Sequence, residues 1–502
     1  MNPGRKGVRI ATFALAAVTP AALAGLILGT PVSAAASSPP SIRLIAATSS
    51  AEIHLGKRGS YEIHFPVLVA SVNGPFELWA QRATYDDPVS LSQIVRDPSG
   101  AISEQLTVAG VPEPDLGKGL PAFLQTSLTK RNGTPIKDAS RAFCSNSYLQ
   151  ERLDDTGPDV TNYPAGCWAS PFSRGSVWGI EQGWGTDVRT SLGRKLRVDE
   201  GTYRLTVSIA EPYRTAFGIS DNDASVTVPV TVMNGGGTVT AKAGSAAEAN
   251  AAPTPEATSM PITVPPDSAL PDIEALPAWG MTVDNRVKSG RSFLNFGATA
   301  WNAGPGILAV EGFRQPDSTT MNAFQYFYEN GDVVGKVDAG TLEYDSRPMH
   351  DHWHFRDFAA YSLLDDNHVK VLDSGKEAFC LAPTDPIDLT VDNAEWRPWL
   401  TDLSTACGEE GSVWIREVLQ TGWGDTYAQY RPGQSFEITD LPNGTYFVKV
   451  QANPDGVLLE ASSDNNVALR EIHLRGRAGE RRVVVPAYGL IDSEGSTCGK
   501  FC

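Results

Sequence analysis

The chain has 502 residues, 41% hydrophobic and 20% charged, an ordinary globular composition with length for two or three domains. Its 41 Lys and Arg against 58 Asp and Glu leave a formal net charge of −17. That charge favours solubility, steers cationic ligands at long range and argues against nucleic acid as a partner.

Residues 1–36 read as a secretory signal peptide. Arg5, Lys6 and Arg9 form a positive end, Ile10 to Leu28 is apolar, and Val32-Ser33-Ala34 offers a small-residue cleavage site. The apolar stretch is long for a signal, so an uncleaved anchor is the alternative. The sequence shows no lipidated-cysteine signal and no second membrane span. Export makes disulfides the expected state of the six cysteines, Cys144, Cys167, Cys380, Cys407, Cys498 and Cys502, rather than metal-thiolate sites.

The remainder repeats itself. Ala142-Phe143-Cys144 recurs as Ala378-Phe379-Cys380, with Cys167 and Cys407 following at similar intervals. Gly175-Ser176-Val177-Trp178 recurs as Gly411-Ser412-Val413-Trp414, Gly183-Trp184-Gly185 as Gly422-Trp423-Gly424, and Gly201-Thr202-Tyr203 as Gly444-Thr445-Tyr446. Matches in one order point to duplication, against chance reuse of common hairpin words. Both copies carry short alternating runs, such as Tyr203 to Val207 and Tyr446 to Val450, separated by turn signals such as Asn443-Gly444. The expected fold is all-β: two related antiparallel β-sandwich domains with long loops, each stapled by its own cysteine pair. Residues 40–233 form the first, 234–270 a flexible Gly/Ala/Pro-rich linker, 271–475 the second, and 476–502 a tail.

The second copy carries the chemistry. Three of the seven histidines alternate in His350-Asp351-His352-Trp353-His354. Imidazole binds copper, zinc, iron and nickel, and residues two apart on a strand share a face. A straight strand would spread the outer rings by about 13 Å, too far for one ion, so a bulge or turn must bend the segment if all three bind. Surface histidines on a polar strand face are the plain alternative.

Beyond the histidines stand Tyr361-Ser362-Leu363-Leu364-Asp365, Lys376-Glu377-Ala378-Phe379-Cys380-Leu381 and Asp425-Thr426-Tyr427, then the strand at Gly444-Thr445-Tyr446 and an acidic turn from Glu460 to Asn466. In this order, residues from about 270 to 474 resemble the catalytic domain of the lysyl oxidase family. The resemblance implies copper held by His350, His352 and His354, and a lysine tyrosylquinone cross-linked from Lys376 and Tyr427. It implies oxidation of primary amines, peptidyl lysine or small amines, by O2 to aldehydes with release of ammonia and hydrogen peroxide. Copper suits this task because it binds imidazole and changes oxidation state, which zinc does not. Asp425 is the candidate general base. Taken singly, Lys376 is an ordinary surface lysine, Tyr427 a sandwich tyrosine and Asp425 a turn cap.

The resemblance further implies a calcium site from Asp272, the Ile273 carbonyl, Glu460, Ser462, Asn465 and Asn466. Oxygen donors suit that ion. Ser462 stands where the family has an aspartate, and an acidic turn satisfying its own backbone is the alternative. Ala360 stands near where animal members carry a further histidine, which leaves the proton-moving group open. The first copy has Ser140 in place of Lys376 and Val188 in place of Tyr427, and its only histidines, His54 and His64, precede the repeated block. It is read as a degenerate domain without copper or quinone that supports the second or binds a cell-surface or matrix partner. The rival reading is a non-catalytic secreted metal-binding or surface-binding β-sandwich protein. A hydrolytic zinc site is weaker, because no His-Glu-x-x-His motif is present.

Overall fold

A computed structural model describes residues 39–491 apart from 148, 189, 235–263, 289, 315–317, 347–350, 357 and 375–377. The expected signal peptide, most of the linker, Cys498, Cys502, His350 and Lys376 lie outside the described residues. No helix among the described residues is long and apolar enough to cross a membrane.

The fold is all-β, as expected. The single α-helix among the described residues is the short Glu211–Ala216. Alternation builds the strands: Gly444–Ala452 buries Tyr446, Val448, Val450 and Ala452 on one face, and Gly201–Ile209 buries Tyr203, Leu205, Val207 and Ile209 likewise. Among the described residues the first half forms three sheets, and in one of them Ser225–Asn234 makes a parallel pair with Ala51–Leu55; the other strand pairs are antiparallel. The second half also forms three sheets. One is built on Phe293–Asn302 and includes Trp423–Tyr427. A six-stranded sheet runs from Ala378–Phe379 through His352–Arg356, Asp332–Asp345, Thr320–Glu329 and Leu308–Arg314 to Trp414–Leu419. The third is built on Gly444–Ala452.

Several local features recur in the two halves. In each half a tight turn precedes the strand that follows the repeated Gly-Trp-Gly word. Trp184 N–H donates to Glu181 O, and Trp423 N–H donates to Gln420 O, both at 3.1 Å. Gly183 and Gly422 take φ of 73° and 87° at the third position of that turn, a conformation that excludes most side chains. Tyr203 donates to Asp199 O and Tyr446 to Pro442 O, both at 2.9 Å. Each half has its own disulfide, Cys144–Cys167 and Cys380–Cys407.

Each half also has a large core, and the two adjoin within one compact unit from Pro39 onward. A third cluster joins Phe172 of the first half to Leu276, Trp279, Trp301, Ile387 and Ile491 of the second. Backbone bonds reinforce it: Arg174 N–H donates to Ile387 O at 2.6 Å, and Leu389 N–H to Gly175 O at 3.1 Å. Trp396 stacks on Tyr163 with ring centroids 5.8 Å apart. The first half therefore grips the loop that the Cys380–Cys407 disulfide closes.

Candidate active site

Two sheets of the second half bring the sequence-predicted residues together. The histidine strand His352–Arg356 lies between Asp332–Asp345 and Ala378–Phe379, with His354 opposite Glu343 and Phe355 opposite Phe379. The rings of His352 and His354 stand on one face, centroids 4.7 Å apart. Extended pairing starts only at His352, and Asp351 takes a φ of 21°. The chain thus leaves the strand conformation between His350 and His352, where a bend was required for all three rings to share an ion.

His354 is buried, and its Nδ1 lies 3.7 Å from Asp345 Oδ2, an ion-pair contact longer than a hydrogen bond. A ring whose Nδ1 faces a carboxylate offers Nε2 to a metal, the usual outer partner of a ligating histidine. Among the described residues no set of three His, Cys, Asp or Glu side chains is placed to hold a metal, and the copper set needs His350 as its third member. Two converging imidazoles with a carboxylate behind one of them fit copper chemistry.

Tyr427 ends the strand Trp423–Tyr427, which pairs with Phe293–Asn302 so that Tyr427 faces Ala298 and Asp425 faces Ala300. Alternation turns both side chains toward the main core and Thr426 the other way. The Tyr427 hydroxyl accepts the Cys380 N–H at 3.1 Å and donates to the Cys380 carbonyl at 3.3 Å. The Phe379 ring meets the phenol edge-on at 4.7 Å. Burial, then the charges of Asp425 and Glu417, hold this phenol well above the ordinary tyrosine pKa. Tyr361 is buried nearby, takes a hydrogen bond from Gln434 at 3.3 Å, and is likewise pushed up by burial. Asp425 is buried. The structure thus sets His352 beside His354 on one strand and Asp425 beside Tyr427 on another.

One residue escaped the sequence reading. Glu417, on the strand Trp414–Leu419, has no exposed surface. Burial raises its carboxyl well above the usual range, and the charge of Asp425 raises it further. The signal was available, since a glutamate interrupts the inward alternation Ile415-x-Glu417-x-Leu419.

The calcium candidates also meet. Asn465 donates to both Asp272 oxygens at 3.2 and 3.3 Å. Glu460 accepts from Ile273 N–H at 3.0 Å, from Asn453 at 2.6 Å and from Asn466 at 2.7 Å. Ser462 Oγ accepts its own turn's Asp464 N–H at 3.2 Å. The side-chain oxygens of Asn465 and Asn466 are buried without a hydrogen-bond partner. Rotating the two amides would turn those oxygens toward the carboxylates and present an oxygen cage, so Asp272, Glu460, Asn465 and Asn466 fit calcium, whereas Ser462 serves its turn.

On the reverse face of the tyrosine strand, a cavity of 580 Å³ opens between the halves. Trp168, Trp279, Asp385, Thr426, Tyr430 and Arg431 line it. Burial lifts the Asp385 carboxyl, opposed by hydrogen bonds from Thr426 and Thr384.

Residues 329–484 match the lysyl oxidase family model. This segment belongs to the lysyl oxidase family. Human lysyl oxidase homolog 1 is 33% identical over 139 residues, 27% of this chain and 21% of that protein. Chicken protein-lysine 6-oxidase is 31% identical over 129 residues, 25% of this chain and 27% of the relative. The pig protein-lysine 6-oxidase, also 31% identical over 129 residues, is covered to 45%. The chain thus spans less than half of each of these relatives. The lysyl oxidase match holds the histidine strand, Asp425, Tyr427 and Glu417, and it leaves out the entire first half.

Proposed function

We propose that the protein is a secreted, copper-dependent amine oxidase of lysyl oxidase type, acting on primary amines carried by peptidyl lysine or small molecules. The observation that carries this reading is the placement of Tyr427. Its phenol is half-buried against the main core, fixed by the Cys380 peptide and set beside Asp425, in a half where another strand presents His352 and His354 on one face. His350, His352 and His354 would hold the copper, and Lys376 would supply the amine of a Lys376–Tyr427 cross-link. When present, copper and O2 supply the oxidising power that makes Tyr427 a quinone, and the quinone supplies an electron sink for amine oxidation. The overall change consumes amine, O2 and water and yields aldehyde, ammonia and hydrogen peroxide.

The chain's own residues do the rest. Asp425 takes the proton from the carbon bearing the amine, the step that needs a base beside the ring. Phe379 packs edge-on against the phenol, and the buried Tyr361 lies near it. Asp345 orients His354. Asp272, Glu460, Asn465 and Asn466, with the Ile273 carbonyl from the family pattern, would hold a calcium that ties the start of the domain to the acidic turn. The first half, with Val188 in place of Tyr427, takes no part in the chemistry, and its outer surface serves a cell-surface or matrix partner. Export fits the two disulfides.

The test is a tryptic digest of copper-loaded, aerated protein. The peptides containing Lys376 and Tyr427 should run as one cross-linked species that reacts with phenylhydrazine. Separate, unmodified peptides from protein that has bound copper and oxidises amines would refute the cofactor.

A further inference from the structure

Glu417 is an expensive residue for a core. An ionised carboxyl taken out of water costs several kcal/mol unless it is neutralised or well paired. The chain contains its own control for what that position needs structurally. The halves align on the shared turn, where Gly183 matches Gly422 and both take positive φ. The strands Gly175–Ile180 and Trp414–Leu419 end at the same distance from these glycines, so the Gly-Ser-Val-Trp words are offset by three residues on this register, and Trp178, fully buried in the first half's core, matches Glu417 rather than Trp414. On the same alignment Asp425 matches Thr186 and Tyr427 matches Val188. An apolar side chain fills the position in the half that lacks the chemistry, and the carboxyl accompanies the tyrosine and aspartate in the half that has them.

The hydrogen bonds show what the carboxyl does. Glu417 Oε2 accepts the Leu381 N–H at 3.0 Å. Leu381 follows Cys380, whose peptide groups hold the Tyr427 hydroxyl. One carboxyl thus anchors the segment that fixes the phenol, and its Oε1 is buried without a hydrogen-bond partner.

We propose that Glu417 is a positioning residue: it clamps the Leu381 N–H and so holds the adjoining Cys380 peptide, and with it the Tyr427 ring, in place while the quinone forms. The proposal rests on the amine oxidase reading for its consequence, but the clamp itself exists without metal. A displacement of about 1 Å at a reacting centre costs on the order of a hundredfold in rate. Quinone formation should therefore feel the loss of the clamp, while copper uptake by the histidines should not.

The experiment compares wild type with Glu417→Gln, whose amide oxygen accepts the same N–H group, and Glu417→Leu, which does not. In copper-free protein, hydrogen exchange at Leu381 should quicken by on the order of tenfold in Glu417→Leu and stay near wild type in Glu417→Gln. In copper-loaded, aerated protein, Glu417→Leu should bind copper fully but form phenylhydrazine-reactive quinone on the order of a hundredfold more slowly, and Glu417→Gln should recover most of that rate. Should Glu417→Leu fail to fold, Glu417→Asp keeps the carboxyl and loses its reach, and is expected to slow quinone formation in the same way. Wild-type exchange and wild-type quinone formation in the leucine or aspartate variant overturn the proposal. So does a loss of copper and quinone in equal proportion to unfolded protein, or a glutamine variant as slow as the leucine one. If wild type itself forms no quinone, the oxidase reading fails, and the exchange data alone still decide whether Glu417 is the clamp.

Discussion

The sharpest prediction concerns the contact between the halves. Phe172, from the first half, is fully buried against Leu276, Trp279, Trp301, Ile387 and Ile491 of the second. A buried phenylalanine withdraws at least about 150 Å² from water, worth about 4 kcal/mol at roughly 25 cal/mol per Å². Phe172→Ala returns part of that through the smaller side chain and adds a cavity, for a net loss of about 3–5 kcal/mol. Because Trp301 lies on Phe293–Asn302, the strand that pairs with the tyrosine strand, the loss should be felt in both halves. The assay is urea unfolding followed by hydrogen exchange in peptides from Gly201–Ile209 and Gly444–Ala452. Both should lose protection at the same lowered urea concentration. If Gly444–Ala452 keeps its wild-type stability while Gly201–Ile209 fails early, the halves unfold independently and the reasoning is wrong.

Replacing His352 and His354 together by Ala should abolish stoichiometric copper uptake while the far-ultraviolet circular dichroism of the sheets persists; full copper content in that variant would rule out these ligands. Tyr427→Phe keeps the ring but removes the hydroxyl that bonds Cys380, so it should bind copper and show no phenylhydrazine reaction, and normal amine oxidation by it would exclude the cofactor. The raised carboxyl of Glu417 means that its neutral form is favoured on folding, so its contribution to stability is present below the unfolded glutamate pKa and is lost as pH rises through the folded one. Thermal melts of Glu417→Gln should accordingly exceed wild type at alkaline pH and converge with it in acid, and a constant difference across pH would show that ionisation is not the cost. The net charge of −17 should favour lysine peptides, with kcat/KM falling as salt shortens the Debye length to about 8 Å while kcat changes little; a salt-independent kcat/KM for a lysine peptide, poorer than that for benzylamine, would exclude steering.

Sequence alone determined the class of fold and named the residues on which the proposed chemistry rests. Alternating apolar runs dictate strands because side chains on a strand repeat every two residues, and paired words dictate a duplication whatever the packing. His352, His354, Asp425 and Tyr427 were legible because metal and redox chemistry demand particular side chains, and those side chains stand in a recognisable order. Tertiary structure decided what depends on contacts between distant segments. The Cys380 peptide as the holder of Tyr427, Asp345 behind His354, and the grip of the first half on the Cys380–Cys407 loop all join residues far apart in sequence. Glu417 lies between these cases. Its break in the alternation could be read from the sequence, but the strand that would bury it, and the Leu381 N–H that uses its carboxyl, are fixed only when the sheets close around it, where exclusion of water turns an ordinary glutamate into a clamp.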